Sequence, residues 1–233
     1  GISARNSLSP KPRSTSANPA TVSSRSPPNG TFAVVTERDA TGTNTLVRTL
    51  DVATLKPSRP DATVPGFFVP RGVSPDGTRL AYQVDAGRNA NTPNLFILDR
   101  ASGATVQVTG ACLGGLAWSP DGKWMNVERT YKYGFWLSPV GSTKQNRQWR
   151  QVVSNPDSCC QFAHWSPDSH SLAYSVGRGS GVCNQLWIVD ITSAEARMVV
   201  GGAPGTQKVC VASETERWSP DGSMLLFLDE GPT

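Results

Sequence analysis

Serine, cysteine and histidine are the residues of this chain whose types could support nucleophilic hydrolysis. That chemistry needs a serine or cysteine activated by a histidine, which a third group holds in place. The chain has two histidines, His164 and His170, and no Gly-x-Ser-x-Gly elbow. It also has no glycine-rich phosphate loop with its lysine and no spaced carboxylates of a calcium loop. We therefore expect no catalytic residues, no cofactor and no enzyme activity.

Composition excludes two further classes of protein. The formal net charge is only +4, and several of the cations lie in the first 25 residues, so a nucleic-acid partner is not expected. The longest apolar runs, such as residues 224–228, have the length of a strand and not of a membrane span. Residues 1–24 are rich in Ser, Thr and Pro, which predicts a disordered or extended N-terminal arm.

One phrase repeats along the rest of the chain and must position whatever the protein binds. Ser-Pro-Asp-Gly or a close variant ends at Gly77, Gly122, Ser169 and Gly222, and a degraded copy ends at Gly30. The separations are 47, 45, 47 and 53 residues, the period at which four-stranded blades repeat in a β-propeller. Pro, Asp and Gly are also the residues that a tight turn requires, so the aspartates are interpreted as turn residues.

Alternating apolar residues on both sides of each phrase predict the strands. In the third repeat, residues 116–119 and 123–129 form a hairpin around the turn, and residues 133–140 and 149–153 supply two more strands. The prediction is an all-β fold, a β-propeller of four-stranded antiparallel blades with four complete blades and a partial fifth. The predicted blades span residues 25–67, 68–110, 111–154 and 155–201, with the partial blade at 202–233.

The phrase Trp165-Ser166-Pro167-Asp168, the strand at 171–174 and the run Gln185-Leu186-Trp187-Ile188-Val189-Asp190 resemble the WD-like repeat of TolB-type propellers. The resemblance covers roughly residues 26–230. It implies a bacterial propeller, but such repeats occur in periplasmic scaffold proteins, in sensor proteins and in the propellers of prolyl-oligopeptidase-like enzymes. The sequence departs from the pattern at Pro28-Asn29 and at Ser169, which replaces glycine.

The fifth repeat lacks its third and fourth strands. An unpaired apolar strand edge is rarely left exposed, so residues 225–228 should be covered by further chain, by another subunit or by the N-terminal arm. We expect Leu225 and Phe227 to contact that partner.

The five cysteines all fall on the predicted face that carries the links between blades. Cys112, Cys159, Cys160 and Cys210 precede inner strands, and Cys183 lies in a loop of the fourth repeat. Disulfides, with Cys183 joined to Cys160 or Cys210, are the favoured interpretation and would indicate an oxidising compartment. Zinc binding and free thiols are the alternatives, although no Cys-x-x-Cys pair is present.

Loop residues on the same face are the candidate recognition surface, because rigid blades position loops for binding. Aromatic and arginine side chains are the usual anchors of interfaces, and those predicted here are Tyr131, Lys132, Tyr133, Trp136 and Arg178. Trp118, Trp165, Trp187 and Trp218 are instead expected in the core, and His164 is expected to pack or to form a hydrogen bond.

These features together predict a noncatalytic, extracytoplasmic propeller, periplasmic, cell-surface or secreted, that binds protein partners as a scaffold. The alternatives are a propeller detached from a prolyl-oligopeptidase-like peptidase and a propeller that binds a sugar or another small ligand.

Overall fold

A computed structural model of the protein describes residues 32–231 except 40, 42, 59–60, 66–67, 85–93, 110–112, 130–133, 144–147, 155–158, 178–183, 202–210, 213–214 and 230. All regular structure in these residues is β, as the sequence predicts. The described part of the chain contains no helix long and apolar enough to cross a membrane. The N-terminal arm lies outside the described residues, and the bounds of the blades stay a prediction.

Among the described residues, seventeen strands form five antiparallel sheets, which follow one another along the chain. The first sheet contains β1 (Phe32–Arg38), β2 (Asn44–Asp51) and β3 (Ala62–Pro65). The second contains β4 (Phe68–Val73), β5 (Arg79–Val84), β6 (Asn94–Asp99) and β7 (Thr105–Thr109). The third contains β8 (Leu113–Trp118), β9 (Trp124–Arg129), β10 (Gly134–Pro139) and β11 (Arg150–Ser154).

The fourth sheet contains β12 (Cys159–Trp165), β13 (Ser171–Gly177), β14 (Gln185–Asp190) and β15 (Ala196–Val200). The fifth contains only β16 (Arg217–Trp218) and β17 (Leu225–Leu226). Three sheets therefore have the predicted four strands in meander order. The first sheet has three strands among the described residues.

The repeated phrase builds the same hydrogen-bonded turn four times. In the third sheet, Ser119 Oγ donates to Asp121 Oδ1 (2.6 Å) and accepts from the main-chain N–H of Trp124 (2.9 Å). Asp121 Oδ1 also accepts from the N–H of Lys123 (3.0 Å). The equivalent bonds recur at Ser74 and Asp76, at Ser166 and Asp168, and at Ser219 and Asp221. The aspartates are thus turn residues, because their acceptors are used by the turn itself.

The last residue of each turn has a positive φ, which glycine adopts without strain. The angles are 70° at Gly77, 72° at Gly122, 64° at Ser169 and 74° at Gly222. Ser169 is the departure noted in the sequence, and its buried hydroxyl accepts from the main-chain N–H of Asp121 in the preceding turn (3.0 Å). The serine therefore has a strained backbone angle, but its hydroxyl forms a hydrogen bond between two sheets.

Substitution at Ser169 should separate these two effects. Ser169→Ala keeps the strain and loses the bond, so the free energy of unfolding should fall by about 1 kcal/mol. Ser169→Gly loses the same bond but relieves strain of about 1 kcal/mol, so the free energy of unfolding should fall by less than in Ser169→Ala. Urea denaturation of both variants measures the difference, and equal losses would show that the backbone angle carries no strain.

A second repeated turn joins the third and fourth strands and was missed in the sequence. Asp99 Oδ1 accepts from the main-chain N–H groups of Ala101 and Ser102 and from the Ser102 hydroxyl (2.8 Å). Asp190 bonds Thr192 and Ser193 in the same way, and Asp51 bonds Thr54. The signal was the spacing Asp-x-x-Ser/Thr, and Pro139 replaces the aspartate in the third repeat.

The core consists of three clusters, each between neighbouring sheets. Every cluster contains a valine from the outermost strand of one sheet and an aromatic residue from the third strand of the next. The pairs within these clusters are Val64 and Phe96, Val108 and Trp136, and Val152 and Trp187. Each sheet therefore stabilises its neighbour, as expected where a single blade cannot cover its own apolar surface.

The tryptophans of the phrase hold successive sheets together. Trp118 and Trp165 are buried, and Trp165 Nε1 donates to Asn126 Oδ1 (3.0 Å) and to the carbonyl of Ala117 (3.2 Å) in the preceding sheet. Trp187 is half-buried against the cluster between the third and fourth sheets. Trp218 is also half-buried. Trp118 and Trp165 are thus in the core, as expected, whereas Trp187 and Trp218 lie partly in solvent.

The turn carboxylates should make the free energy of unfolding decrease as the pH becomes acidic. Hydrogen bonds from Ser219, which has the largest effect, and from Ser223 lower the pKa of Asp221 from 3.8 to about 2, and the bond from Ser166 is the largest effect that lowers the pKa of Asp168. A carboxylate with a lowered folded-state pKa contributes stability above its unfolded pKa, and that contribution is lost as pH falls towards the folded pKa. NMR titration should place Asp221 near 2, and Ser219→Ala should return it towards 3.8. An unchanged pKa in the variant would contradict this cause.

Candidate functional site: the open side of the fifth sheet

The fifth sheet is the one that ends without a following sheet among the described residues. Leu226 pairs with Arg217 and Leu225 with Trp218, and isolated contacts extend the sheet through Val211 and Asp229. The apolar strand edge predicted at residues 225–228 is thus regular only at Leu225–Leu226. The inner strand is attached to the fourth sheet by Trp218 Nε1, which donates to the carbonyl of His164 (3.0 Å).

The side chains of β17 and of the residues on either side of it, Met224 to Leu228, divide between two faces. Leu225 and Phe227 occupy the positions of Leu172 and Tyr174, which pack in the cluster against the preceding sheet. Both are half-buried, in keeping with a position against the fourth sheet. Met224, Leu226 and Leu228 alternate with them and are exposed by 67%, 72% and 59%. These three side chains are called the apolar face of β17.

The apolar face corresponds to surfaces that are covered in the other sheets. Leu226 has the position of Ala81, Asn126 and Ala173, which are exposed by 0%, 2% and 0%. The next position, Leu228, matches Gln83, Glu128 and Ser175, which are all buried. The completed sheets thus carry small or polar residues where β17 carries leucine. A row of large apolar side chains in solvent is typical of an interaction site.

The outer edge of β17 is open as well. The carbonyl of Met224 accepts from Ser219 N–H (2.9 Å) and the carbonyl of Leu228 accepts from Ala212 N–H (2.9 Å), so these groups point towards β16. Because successive residues of a strand point in opposite directions, the N–H and C=O groups of Leu225 and Phe227 point to the other edge. A third strand occupies that edge in the three four-stranded sheets. Here no described residue bonds to it.

A neighbouring apolar residue on the fourth sheet is exposed for the same reason. Val199 lies at the bulge of β15, the position held by Val108 in β7 and Val152 in β11. Val108 and Val152 are exposed by 0% and 5% because the following sheet covers them, whereas Val199 is exposed by 42%. The described part of the fifth sheet contributes no third strand that could cover Val199.

The polar groups at the inner strands form a contact between the fourth and fifth sheets. Arg217 Nη1 lies 3.0 Å from His164 Nε2, and it donates to the carbonyl of Glu216 (2.6 Å). His164 therefore takes part in hydrogen bonding, as the sequence analysis expected. Among the residues with described positions, no group of three His, Cys, Asp or Glu side chains could hold a metal ion.

The residues predicted to bind a partner lie at several places. Leu225 lies on β17 and Phe227 lies just beyond its end; both side chains are half-buried, and their main-chain groups point towards the open edge. Trp136 packs in the cluster between the second and third sheets. Tyr131, Lys132, Tyr133 and Arg178 lie outside the described residues, as do Cys112, Cys183 and Cys210. Cys159 and Cys160 lie on β12, but their side chains are not described, so the disulfides stay a prediction.

Sequence analysis predicted an apolar edge at residues 225–228, but it named Leu225 and Phe227 as the contacts instead of Leu226 and Leu228, and it missed Met224 and Val199. The signal for the face was the presence of Leu226 and Leu228 where the three four-stranded sheets carry alanine, asparagine, glutamine, glutamate or serine. The exposure of Val199 had no sequence signal, because valine occurs at the same place in the buried strands.

Comparison with known proteins identifies the fold. No protein-family model matches the chain, and the search of curated proteins found no match. The structure resembles a protein described as TolB from Agrobacterium tumefaciens, with a TM-score of 0.57 and 17% identity over 87% of this chain and 73% of that one. It also resembles an oligogalacturonate lyase determined with manganese, with a TM-score of 0.62 and 16% identity over 87% of this chain and 56% of that one.

A third similar structure is dipeptidyl peptidase 4 of Porphyromonas gingivalis, with a TM-score of 0.63 and 12% identity over 93% of this chain. The chain spans 37% of the peptidase and 56% of the lyase. Identities at this level show the fold alone, and the three proteins differ in kind. The chain has the TolB-like β-propeller fold.

Proposed function

We propose that this protein is a noncatalytic propeller that binds other proteins through the open side of its fifth sheet. The apolar face of β17 carries this proposal. Leu226 and Leu228 lie in solvent at positions that are buried in the three four-stranded sheets, and Met224 lies in solvent beside them. Interfaces between proteins are apolar at their centre, and a partner that covers this face would bury leucine and methionine as a further sheet does.

A scaffold role agrees with the chemistry of the chain. The two histidines and the absence of a nucleophile elbow in the sequence give no support to hydrolysis. The aspartates of the repeated phrase are engaged in turns. We place the protein outside the cytoplasm, in the envelope or beyond it, because five cysteines on one predicted face suit an oxidising compartment.

A second candidate is a propeller that forms part of a peptidase. The resemblance to dipeptidyl peptidase 4, of which the chain spans 37%, supports it. A neighbouring catalytic domain would then be the partner that covers β17. The third candidate, a propeller that binds a sugar or small ligand, is supported only by the resemblance to the lyase.

Leu226→Asp tests the proposed function. Leu226 is 72% exposed, so the substitution should change the free energy of unfolding by no more than about 0.5 kcal/mol. A charge at the centre of an apolar interface should still reduce partner retention about tenfold or more. The measurement is affinity purification from an envelope extract, followed by mass spectrometry.

Leu55→Asp is the matched control. Leu55 is 74% exposed in the connection between β2 and β3, and its positive φ of 56° suits aspartate. The control should retain what the natural chain retains. A partner held equally by all three proteins, or none held by the natural chain, would contradict the proposed function.

A further inference from the structure

Groups that do not titrate near neutral pH join the third and fourth sheets. Trp165 Nε1 donates to Asn126 Oδ1 (3.0 Å), and Ser169 Oγ accepts from a main-chain N–H of the preceding turn (3.0 Å). At the next joint, between the fourth and fifth sheets, Ala173 takes the place of Asn126 and Gly222 the place of Ser169. Neither bond can therefore recur there.

His164 supplies two contacts at this second joint. Its carbonyl accepts from Trp218 Nε1 (3.0 Å), and its ring Nε2 lies 3.0 Å from Arg217 Nη1. A guanidinium group only donates and stays charged in proteins, so Nε2 is the acceptor and the ring is neutral in this contact. A proton on Nε2 would remove the acceptor and place a second positive charge beside Arg217.

We propose that His164 is a proton switch that holds the fifth sheet against the fourth when its ring is neutral and loosens it when the ring is charged. A histidine side chain ordinarily gains its proton at about pH 6.5. The contact favours the neutral ring, so its contribution to stability should be present above that pH and lost as the pH falls below it. Asn184 Nδ2 also donates to the carbonyl of Val211 (3.0 Å), a bond that does not titrate, so the sheet should loosen and not detach. The inference goes beyond the proposed function, because it requires no partner.

The charged groups around β12 lie on both of its faces. The strands packed against it are β8, β9, β10, β13 and β16. Their described titratable or charged side chains are those of Glu128, Tyr174 and Arg217. Tyr174 meets Phe135 of the third sheet, and Glu128 lies on the same face of β9 as Asn126, which bonds Trp165. Both are thus directed at the joint between the third and fourth sheets, whereas His164 points to the other face of β12.

Glu216 is an acidic group on the same side as His164. It directly precedes β16, is fully buried and has the position of Ala163, which packs towards the preceding sheet. An ionised Glu216 would favour a charged histidine and act against the switch. Glu216→Gln removes this acid and keeps the shape of the side chain, so it separates the two groups in an experiment.

Hydrogen–deuterium exchange of the purified full chain, followed by mass spectrometry at a series of pH values, tests the switch. Protection factors remove the effect of pH on intrinsic exchange and report local opening. Protection of the main-chain N–H groups in residues 217–228 should fall about tenfold between about pH 7.5 and 5.5, whereas that of β8 to β11 should stay constant within about twofold. Constant protection in residues 217–228 would overturn the inference.

Substitutions identify the group that takes up the proton. His164→Gln keeps an acceptor but cannot become charged, so protection should no longer depend on pH. His170→Gln is the matched control, because His170 is the other histidine of the chain and is exposed on the turn of the fourth sheet. The response should persist in this control and in Glu216→Gln. A response that persists in His164→Gln, or disappears in either of the other variants, would assign the proton elsewhere and refute the switch.

NMR of the natural chain supplies a measurement that needs no variant. The ring resonances of His164 and the indole N–H of Trp218 should shift with the same midpoint, because Trp218 donates to the carbonyl of the titrating residue. Different midpoints would contradict the proposed coupling between the ring and the joint.

Discussion

Replacement of Phe135 by alanine is expected to lower the free energy of unfolding by about 3–5 kcal/mol. Phe135 lies on β10, is fully buried and packs in the cluster between the third and fourth sheets. Its ring meets Tyr174 edge to face, with the ring centroids 5.2 Å apart. Alanine would remove this contact and leave a cavity between two sheets, each of which depends on the other for its apolar cover.

Urea denaturation of Phe135→Ala measures this effect, and Phe135→Leu is the conservative comparison. Leucine keeps much of the side-chain volume, so Phe135→Leu should lower the free energy of unfolding by clearly less than Phe135→Ala. Leu55→Ala, at an exposed residue, should change stability by no more than about 0.5 kcal/mol. A loss below about 1 kcal/mol for Phe135→Ala would show that the sheets do not pack as the structure places them.

The second large effect is expected at Gly134, where β10 begins. Its φ is 141°, a conformation that other residues avoid. A methyl group on this residue would overlap with the main-chain carbonyl oxygen of Val153 in β11. Since the obstacle is backbone, Gly134→Ala must displace one of the two strands. The free energy of unfolding should fall by about 3 kcal/mol or more.

Gly141→Ala is the control for the backbone angle alone. Gly141 also has a positive φ, 98°, but no described atom lies within 4 Å of the place of an added methyl group. Gly141→Ala should therefore lower the free energy of unfolding by about 1–2 kcal/mol. Equal losses for the two variants would mean that crowding against Val153 contributes nothing.

The strands and turns of the fold were predictable because their determinants are local. The strand predicted at 123–129 differs from β9 by one residue, and the strand predicted at 133–140 extends one residue beyond β10 at each end. The Ser-Pro-Asp-Gly turn was also interpreted correctly, since its bonds join residues at most five apart. The turn at Asp99 depends on equally local bonds, because Asp99 and Ser102 are three residues apart.

Trp136 shows why the candidate site was harder to predict. An aromatic residue near a loop was interpreted as a recognition residue, but its position opposite Val127 places it in the cluster between two sheets. The face to which a strand residue points is visible in the sequence. Whether a neighbouring sheet covers that face depends on residues almost a whole repeat away.

The sequence by itself therefore determined the all-β fold, the phrase that closes each hairpin and the repeat along which the sheets follow one another. These features depend on backbone angles, short-range hydrogen bonds and alternation of side chains. Only the tertiary structure decided that Val108 and Val152 are buried while Val199 is exposed, and that Met224, Leu226 and Leu228 lie in solvent. Burial is a property of the neighbouring sheet, and identical residues differ in exposure where that neighbour contributes fewer strands.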